Sequence, residues 1–242
     1  MTDVASLPRG ITAYPRQGMG EHLRALEWEQ GDHLLIAAPT KAGKTTLMSL
    51  LAHKRRDVVV MVSKVADPTF RAEFKGWERY DSWPKNGPHR SHRKILLWPR
   101  AGNTMADTRM RQRAIFSDFL DRELRRGGRC IVVDEGLYMS DAKILNMSNQ
   151  LAMCFYWGRS AGTSMVMLTQ RPSWIPKTVY GNITHAYVAR TRDIEDARRL
   201  AALGGVDWRE VSANLARLPA RHDYVYLNPQ GDAPPVIINS RR

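Results

Sequence analysis

Residues 34 to 46, Leu-Leu-Ile-Ala-Ala-Pro-Thr-Lys-Ala-Gly-Lys-Thr-Thr, constrain this chain more than any other stretch. A short apolar run passes into a loop ending Gly43-Lys44-Thr45, and the apolar-rich segment Leu47 to Leu51 follows at once. That order predicts strand, loop, helix. A loop feeding straight into a helix turns backbone N–H groups inward and sets the positive end of the helix dipole beneath them, which is what a polyphosphate requires. Ala38, Pro39, Thr40, Lys41, Ala42, Gly43, Lys44, Thr45 and Thr46 are therefore the expected phosphate cradle. Lys44 is placed to reach the β- and γ-phosphates of ATP, and the Thr45 hydroxyl to hold Mg²⁺. Ala38 stands where the common pattern has its first glycine and keeps a small side chain at the turn.

Roughly ninety residues further on, Cys130-Ile131-Val132-Val133 delivers Asp134 and Glu135 at the end of an apolar run. In an open parallel sheet the carboxyl ends of the strands are where ligands bind. Asp134 is expected in the Mg²⁺ shell, and Glu135 to orient and deprotonate an attacking water. The run Thr163 to Leu168 predicts a neighbouring strand that ends Thr169-Gln170-Arg171-Pro172. There Gln170 is placed to sense the γ-phosphate or its water, although the same residues suit a plain strand-ending turn before proline.

The remaining pattern fits one α/β domain. Asp57 to Val62 is a continuous β-branched run of the kind buried on both faces of a parallel sheet, and Ile95 to Trp98 is a further strand. Helices are expected over 104–126, closed by Gly127-Gly128, over 141–160 with Met153 and Trp157 in the core, and over 194–203 and 208–218. Residues 184–189 make one more strand, and 222–227 with 236–239 a terminal hairpin. The expected fold is thus α/β, a RecA-like P-loop NTPase with a mainly parallel sheet flanked by helices and a C-terminal β-hairpin. Residues 1–30 read as an N-terminal arm with a short helix that carries no chemistry, and residues 31–242 as a single domain.

A formal charge of +13 suits a polyanionic partner better than a small metabolite. Lys85 to Arg129 holds twelve Lys and Arg against four acids, so much of the excess sits there. Between Ser63 and Lys94, Trp77, Tyr80 and Trp83 alternate with basic residues, which fits either a loop that touches nucleic acid or a surface excursion with partly buried rings. Basic groups between Lys64 and Arg113 are the candidates for a DNA path. Cys130 and Cys154 lie in apolar surroundings and are expected as buried thiols. No run approaches the roughly 18 apolar residues of a membrane span, so a cytoplasmic protein is expected.

At Met167-Leu168-Thr169-Gln170-Arg171-Pro172-Ser173, preceded by Gly158-Arg159-Ser160-Ala161-Gly162, the chain resembles the FtsK/HerA superfamily of DNA-pumping ATPases. The likeness runs from about His33 to Leu203. It implies a homo-oligomeric ring in which ATP lies between neighbours and an arginine of one subunit completes the site of the next. Arg159 matches that trans-acting position best, with Arg171, Arg190 and Arg192 as competitors. Without the anchor, winged module or barrel of larger members, the chain resembles a motor core. The resemblance implies a translocase of double-stranded DNA, used in viral genome packaging with a portal or other recruiting protein in the host cytoplasm. A plasmid or conjugative DNA-transfer ATPase is the alternative, and a P-loop kinase acting on a small molecule is the reading from a different class. A ParA-like switch ranks last, because the second lysine it expects is Pro39 here.

Overall fold

The apolar runs become strands wherever they can be covered on both faces. The computed structural model describes residues 7–191, 193–219, 222–231 and 233–239. A short strand β1 (Arg16–Gly18) leads directly into helix α1 (Met19–Ala25). The fully buried β2 (His33–Ala37) then runs through the loop into α2 (Lys44–Ala52), and β3 (Val58–Met61) follows. The stretch after β3 is more regular than its glycines and prolines suggest. It holds α3 (Pro68–Glu73), whose N-cap Asp67 accepts the Phe70 N–H, and a three-residue strand β4 (Glu78–Tyr80).

β5 (Lys94–Leu97) precedes the long α4 (Met105–Arg126), which starts on a reciprocal capping box between Thr104 and Asp107. β6 (Cys130–Val133) is followed by α5 (Gly136–Ser140) and α6 (Ser148–Trp157). The helix expected over 141–160 is therefore shorter. Asp141 takes the Lys143 N–H on its side chain at 2.7 Å and Asn146 adopts φ 51°, so the chain turns before the helix begins. Met153 and Trp157 also depart from the expected core, since both side chains are exposed. β7 (Ser164–Thr169), α7 (Lys177–Tyr180), β8 (Ile183–Val188), α8 (Ile194–Gly204), α9 (Trp208–Ala216), β9 (Asp223–Leu227) and β10 (Val236–Asn239) complete the order.

All ten strands form one sheet in the order β1-β10-β9-β8-β2-β7-β6-β3-β5-β4. Every pairing from β8 to β4 is parallel, so these strands end on the same side. β9 and β10 form the expected antiparallel hairpin, which extends the main sheet through β8 and in turn carries β1. The loop strand β2 pairs with β7, and β7 with the acid strand β6, so Thr169-Gln170 ends the strand between the two chemical motifs.

Two apolar layers cover the faces, sorted by the period of two along each strand. Leu35, Ile131 and Val133 pack with Phe116, Phe119 and Leu151, whereas Leu34, Ile36 and Val132 pack with Leu47, Met48 and Phe70. Each such fully buried side chain contributes about 1.5–3 kcal/mol of transfer free energy. Covered this way, the strand ends are a rigid platform. Cys130 and Cys154 are buried thiols, and desolvation pushes both up to about 12. Among the described residues no helix is long and apolar enough to cross a membrane.

Candidate nucleotide site

The loop after β2 is shaped by two left-handed residues, Lys41 at φ 65° and Gly43 at φ 97°. Gly43 is required for more than its dihedral: a Cβ there would lie 2.6 Å from Nδ1 of His222. The turn leaves Gly43 as the N-cap of α2, with no side chain bonded to the helix's first N–H groups. Those donors face the site and suit an anion.

Lys44 bends back over the loop, its Nζ donating to the carbonyls of Ala38 at 2.5 Å and Pro39 at 3.2 Å. Burial lowers its pKa, and nearby Glu135 opposes that shift. A cavity of about 300 Å³ opens beside it, lined by Thr40, Thr45, Asp134, Glu135 and Gln170 among others. Asp134 is buried at the end of β6 and accepts from Ser63 Oγ at 3.3 Å. Desolvation raises its pKa to about 6, partly offset by Lys64.

Gln170 is the link between the motifs. Its Oε1 accepts from Thr40 Oγ1 at 2.7 Å and its Nε2 donates to Glu135 Oε2 at 3.0 Å. Glu135 can sit this close to β7 because Gly136 packs on Met167, where a Cβ would meet the sulfur at 2.7 Å. The sequence-expected residues Lys44, Thr45, Asp134, Glu135 and Gln170 therefore share one cavity.

Thr45 and Asp134 offer a hydroxyl and a carboxylate to the same space, the hard oxygen donors that Mg²⁺ takes. The residues present thus fit that ion. A buried carboxylate with a raised pKa is also one that a cation would restore to its charged form.

Arg159 lies elsewhere. It precedes β7, at the opposite end of the strands, where its guanidinium meets Asp32 at 3.2 Å and Gln230 at 2.8 Å. Arg171 is engaged within the chain by Asp193 at 2.5 Å and Asp196 at 3.2 Å. Arg190 donates to the Leu218 carbonyl at 3.5 Å, and Arg192 falls outside the described residues.

The basic excursion is largely occupied with itself. Trp83 is buried, donates to Glu123 at 3.2 Å and lies under the Arg129 guanidinium. Arg79 sits over Trp98 and Lys94 over Trp77. These rings follow the partly buried reading of the excursion. Lys64 lines the cavity beside Lys44 and pairs with Asp67 at 2.7 Å. Burial opposes its charge, but the Asp67 hydrogen bond, with Asp134 and Glu135, outweighs burial and raises its pKa.

Four contributors were not read from the sequence. Lys64 lies three residues past the end of β3, so the rule that ligands gather at strand ends could have found it. Glu73 accepts from Thr46 Oγ1 at 2.8 Å, and the His222 N–H and Tyr224 hydroxyl both donate to the Ala42 carbonyl. Nothing in the local sequence of the hairpin announces that it folds back onto the loop.

No protein-family model and no curated protein matches the sequence. Solved structures do match. B204, the DNA-packaging ATPase from Sulfolobus turreted icosahedral virus, aligns over 89% of this chain and 100% of its own, with 14% identity and a TM-score of 0.63. The cytoplasmic domain of the Thermomonospora curvata type VII secretion ATPase EccC aligns over 88% of this chain and 25% of its own, with 16% identity and a TM-score of 0.58. The pCW3 conjugation coupling protein TcpA, solved with ATPγS, aligns over 86% and 59% with 13% identity and a TM-score of 0.52. The chain shares the α/β fold of these structures.

Proposed function

We propose that this protein is an ATP-hydrolysing motor of the FtsK/HerA type that moves double-stranded DNA, with viral genome packaging as its use. The observation that carries the reading is the hydrogen-bonded line from Thr40 through Gln170 to Glu135. It joins the phosphate loop to a carboxylate across the intervening strand, in a fold shared with a DNA-packaging ATPase.

In this reading the loop N–H groups and Lys44 neutralise the phosphates of ATP, and the Lys44 amine leaves the Ala38 carbonyl for the β- and γ-oxygens. Thr45 and Asp134 would hold Mg²⁺, which when bound would supply charge neutralisation. Glu135 takes the proton of the attacking water on its carboxylate, and Gln170 orients that carboxylate and senses whether a γ-phosphate is present. Arg159 lies at the far end of the strands from the site of its own subunit, and its proposed role, taken from the family resemblance, is at the site of the next subunit in a ring. DNA is held by exposed basic side chains in the 64–113 stretch, among them Lys85, Arg90, Arg111 and Arg113. A portal or similar protein recruits the ring.

A plasmid DNA-transfer role is the second reading, and the fold shared with a conjugation coupling protein is the observation that favours it. The decisive experiment is ATP turnover with and without long double-stranded DNA, over a range of protein concentrations, for the native chain and Glu135→Gln. DNA-stimulated turnover that rises cooperatively and vanishes in the variant is expected. Turnover indifferent to DNA and concentration, but dependent on a small acceptor, would replace the motor with a kinase. DNA binding should also weaken steeply with salt as counterions are released.

A further inference from the structure

Gly43, Thr46 and His222 line the phosphate cavity and also a second one of about 350 Å³, whereas Glu135 and Gln170 line only the first. The second cavity therefore adjoins the phosphate site away from the groups that would read the γ-phosphate. Its walls are Met19 and Leu23 of α1, Leu47 and Leu50 of α2, and Tyr224 of β9. No carboxylate, amide, lysine or arginine side chain lines it among the described residues. Its volume falls within the range of roughly 300–1,000 Å³ that small-ligand sites occupy. A larger cavity of about 460 Å³ lies on the Gln170 side, but Arg171, Arg190, Asp193 and Asp196 line it. Charged walls beyond the γ-phosphate end do not suit an apolar ring.

We propose that the cavity between α1, α2 and β9 receives the base and sugar of the bound nucleotide, and that it grips the base by shape and apolar contact alone. This rests on the nucleotide-hydrolysis reading and goes further, to the substrate class: nucleoside triphosphates with either purine. The reasoning is chemical. Adenine and guanine differ in their hydrogen-bonding edges, and a site rejects the wrong one by 10⁴–10⁵ only where buried polar groups are built to pair with the right one, whereas an apolar pocket separates near-isosteres by about 200-fold at most. The Thr46 and Tyr224 hydroxyls are already engaged, by Glu73 and by the Ala42 carbonyl, and the His222 imidazole, the other polar side chain, lies at the edge shared with the first cavity, against Gly43. The N-terminal helix, which carries no chemistry by its sequence, then forms one wall of the substrate site. Gly18 sits at its start with nothing within 4 Å of where a Cβ would be, so a larger side chain can be placed there without strain.

The test measures affinities of Mg-ATP, Mg-GTP and inorganic tripolyphosphate for the full chain by calorimetry, with Leu50→Trp, Gly18→Leu and Lys44→Ala compared to the native protein. Expected are ATP and GTP affinities within about 200-fold of each other, both weakened about tenfold or more by Leu50→Trp and Gly18→Leu, whose larger side chains fill the space the base needs. Tripolyphosphate binding should be unchanged in those two variants, which also shows that they are folded, while Lys44→Ala weakens all three ligands. ATP affinity unaltered by both cavity variants, or a wider gap between ATP and GTP, overturns the proposal. Lys44→Ala leaving every ligand unaffected overturns the phosphate-loop reading beneath it instead.

Discussion

Gln170 Nε2 donates to Glu135 Oε2 at 3.0 Å, while the other carboxylate oxygen, Oε1, is buried without a hydrogen-bond partner. A buried oxygen left unpaired costs about 1–3 kcal/mol, and an arriving water would satisfy it. The pair therefore holds the carboxylate half-bonded and aimed, as the proposed role of Glu135 requires.

Replacing Glu135 with Gln keeps the shape and removes the base. Turnover should fall by about 10²–10⁴ while ATP binding persists, as read by phosphate release and by calorimetry. Gln170→Ala should leave the carboxylate free to swing, and a misplaced catalytic group costs about 10² in rate. Equal loss of binding and turnover in Glu135→Gln would argue against a role confined to the chemical step.

Gly43→Ala meets two obstacles, a left-handed φ of 97° and a Cβ position 2.6 Å from the His222 ring. It should destabilise the fold by about 1–3 kcal/mol and abolish the stabilisation that Mg-ATP gives the native chain. Melting curves with and without nucleotide report both effects. A variant that melts like the native protein and keeps the nucleotide shift would show that the loop tolerates a side chain.

Buried histidines make the fold sensitive to acid, and His185 is shifted down by burial in the same direction as the two with the largest shifts. Burial pushes His22 and His33 down to about 4, and His33 is fixed neutral, its Nδ1 accepting the Met165 N–H at 3.1 Å and its Nε2 donating to the Phe155 carbonyl at 2.8 Å. The unfolded chain protonates both near pH 6.5 and the folded chain does not. Their stabilising contribution is thus complete above about pH 6.5 and is lost as the pH falls towards 4, with a slope of up to about 2.7 kcal/mol per pH unit for two protons. Denaturant unfolding at pH 7, 6 and 5 checks this, and a flat profile would contradict it.

Arg159 is expected to act on a neighbouring site, so Arg159→Ala alone should lower turnover by about 10³–10⁵, the range for arginine fingers. Mixing it with Lys44→Ala, which keeps Arg159 but has a dead site, should restore turnover that neither shows alone. Absence of complementation in co-assembled particles would remove the trans role. In this chain Arg159 is held by Asp32 and Gln230, so the proposed trans role would require it to exchange those partners for phosphate oxygens.

What the sequence made legible is chemistry confined to adjacent residues. A phosphate cradle needs its donors on consecutive peptides, and an acidic pair needs a strand end, so the convergence of Lys44, Thr45, Asp134 and Glu135 on one cavity follows from local pattern. Gln170 was readable as a polar strand end, but its position between β2 and β6 was not, because strand order is decided by long-range pairing. β4 has three residues, too few for a periodic signal, and α3 was readable only through its Asp67-Pro68 cap. Met153 and Trp157 read as core in the sequence because a helix with apolar residues on several sides does not say which face is covered. His222 and Tyr224 reach Ala42 across about 180 residues of chain, a distance at which no local pattern operates.

One strand between β2 and β6 fixes how far the phosphate loop stands from its acids. Two backbone spacings of about 4.8 Å set that distance at roughly 10 Å, and neither depends on any side chain. The ladder is a ruler whose graduations are peptide groups, so replacing the apolar residues along it leaves the interval unchanged as long as the faces stay covered. A fold of this kind can lose nearly all of its sequence and keep its working distance, which is how 14% identity coexists with alignment over 89% of this chain.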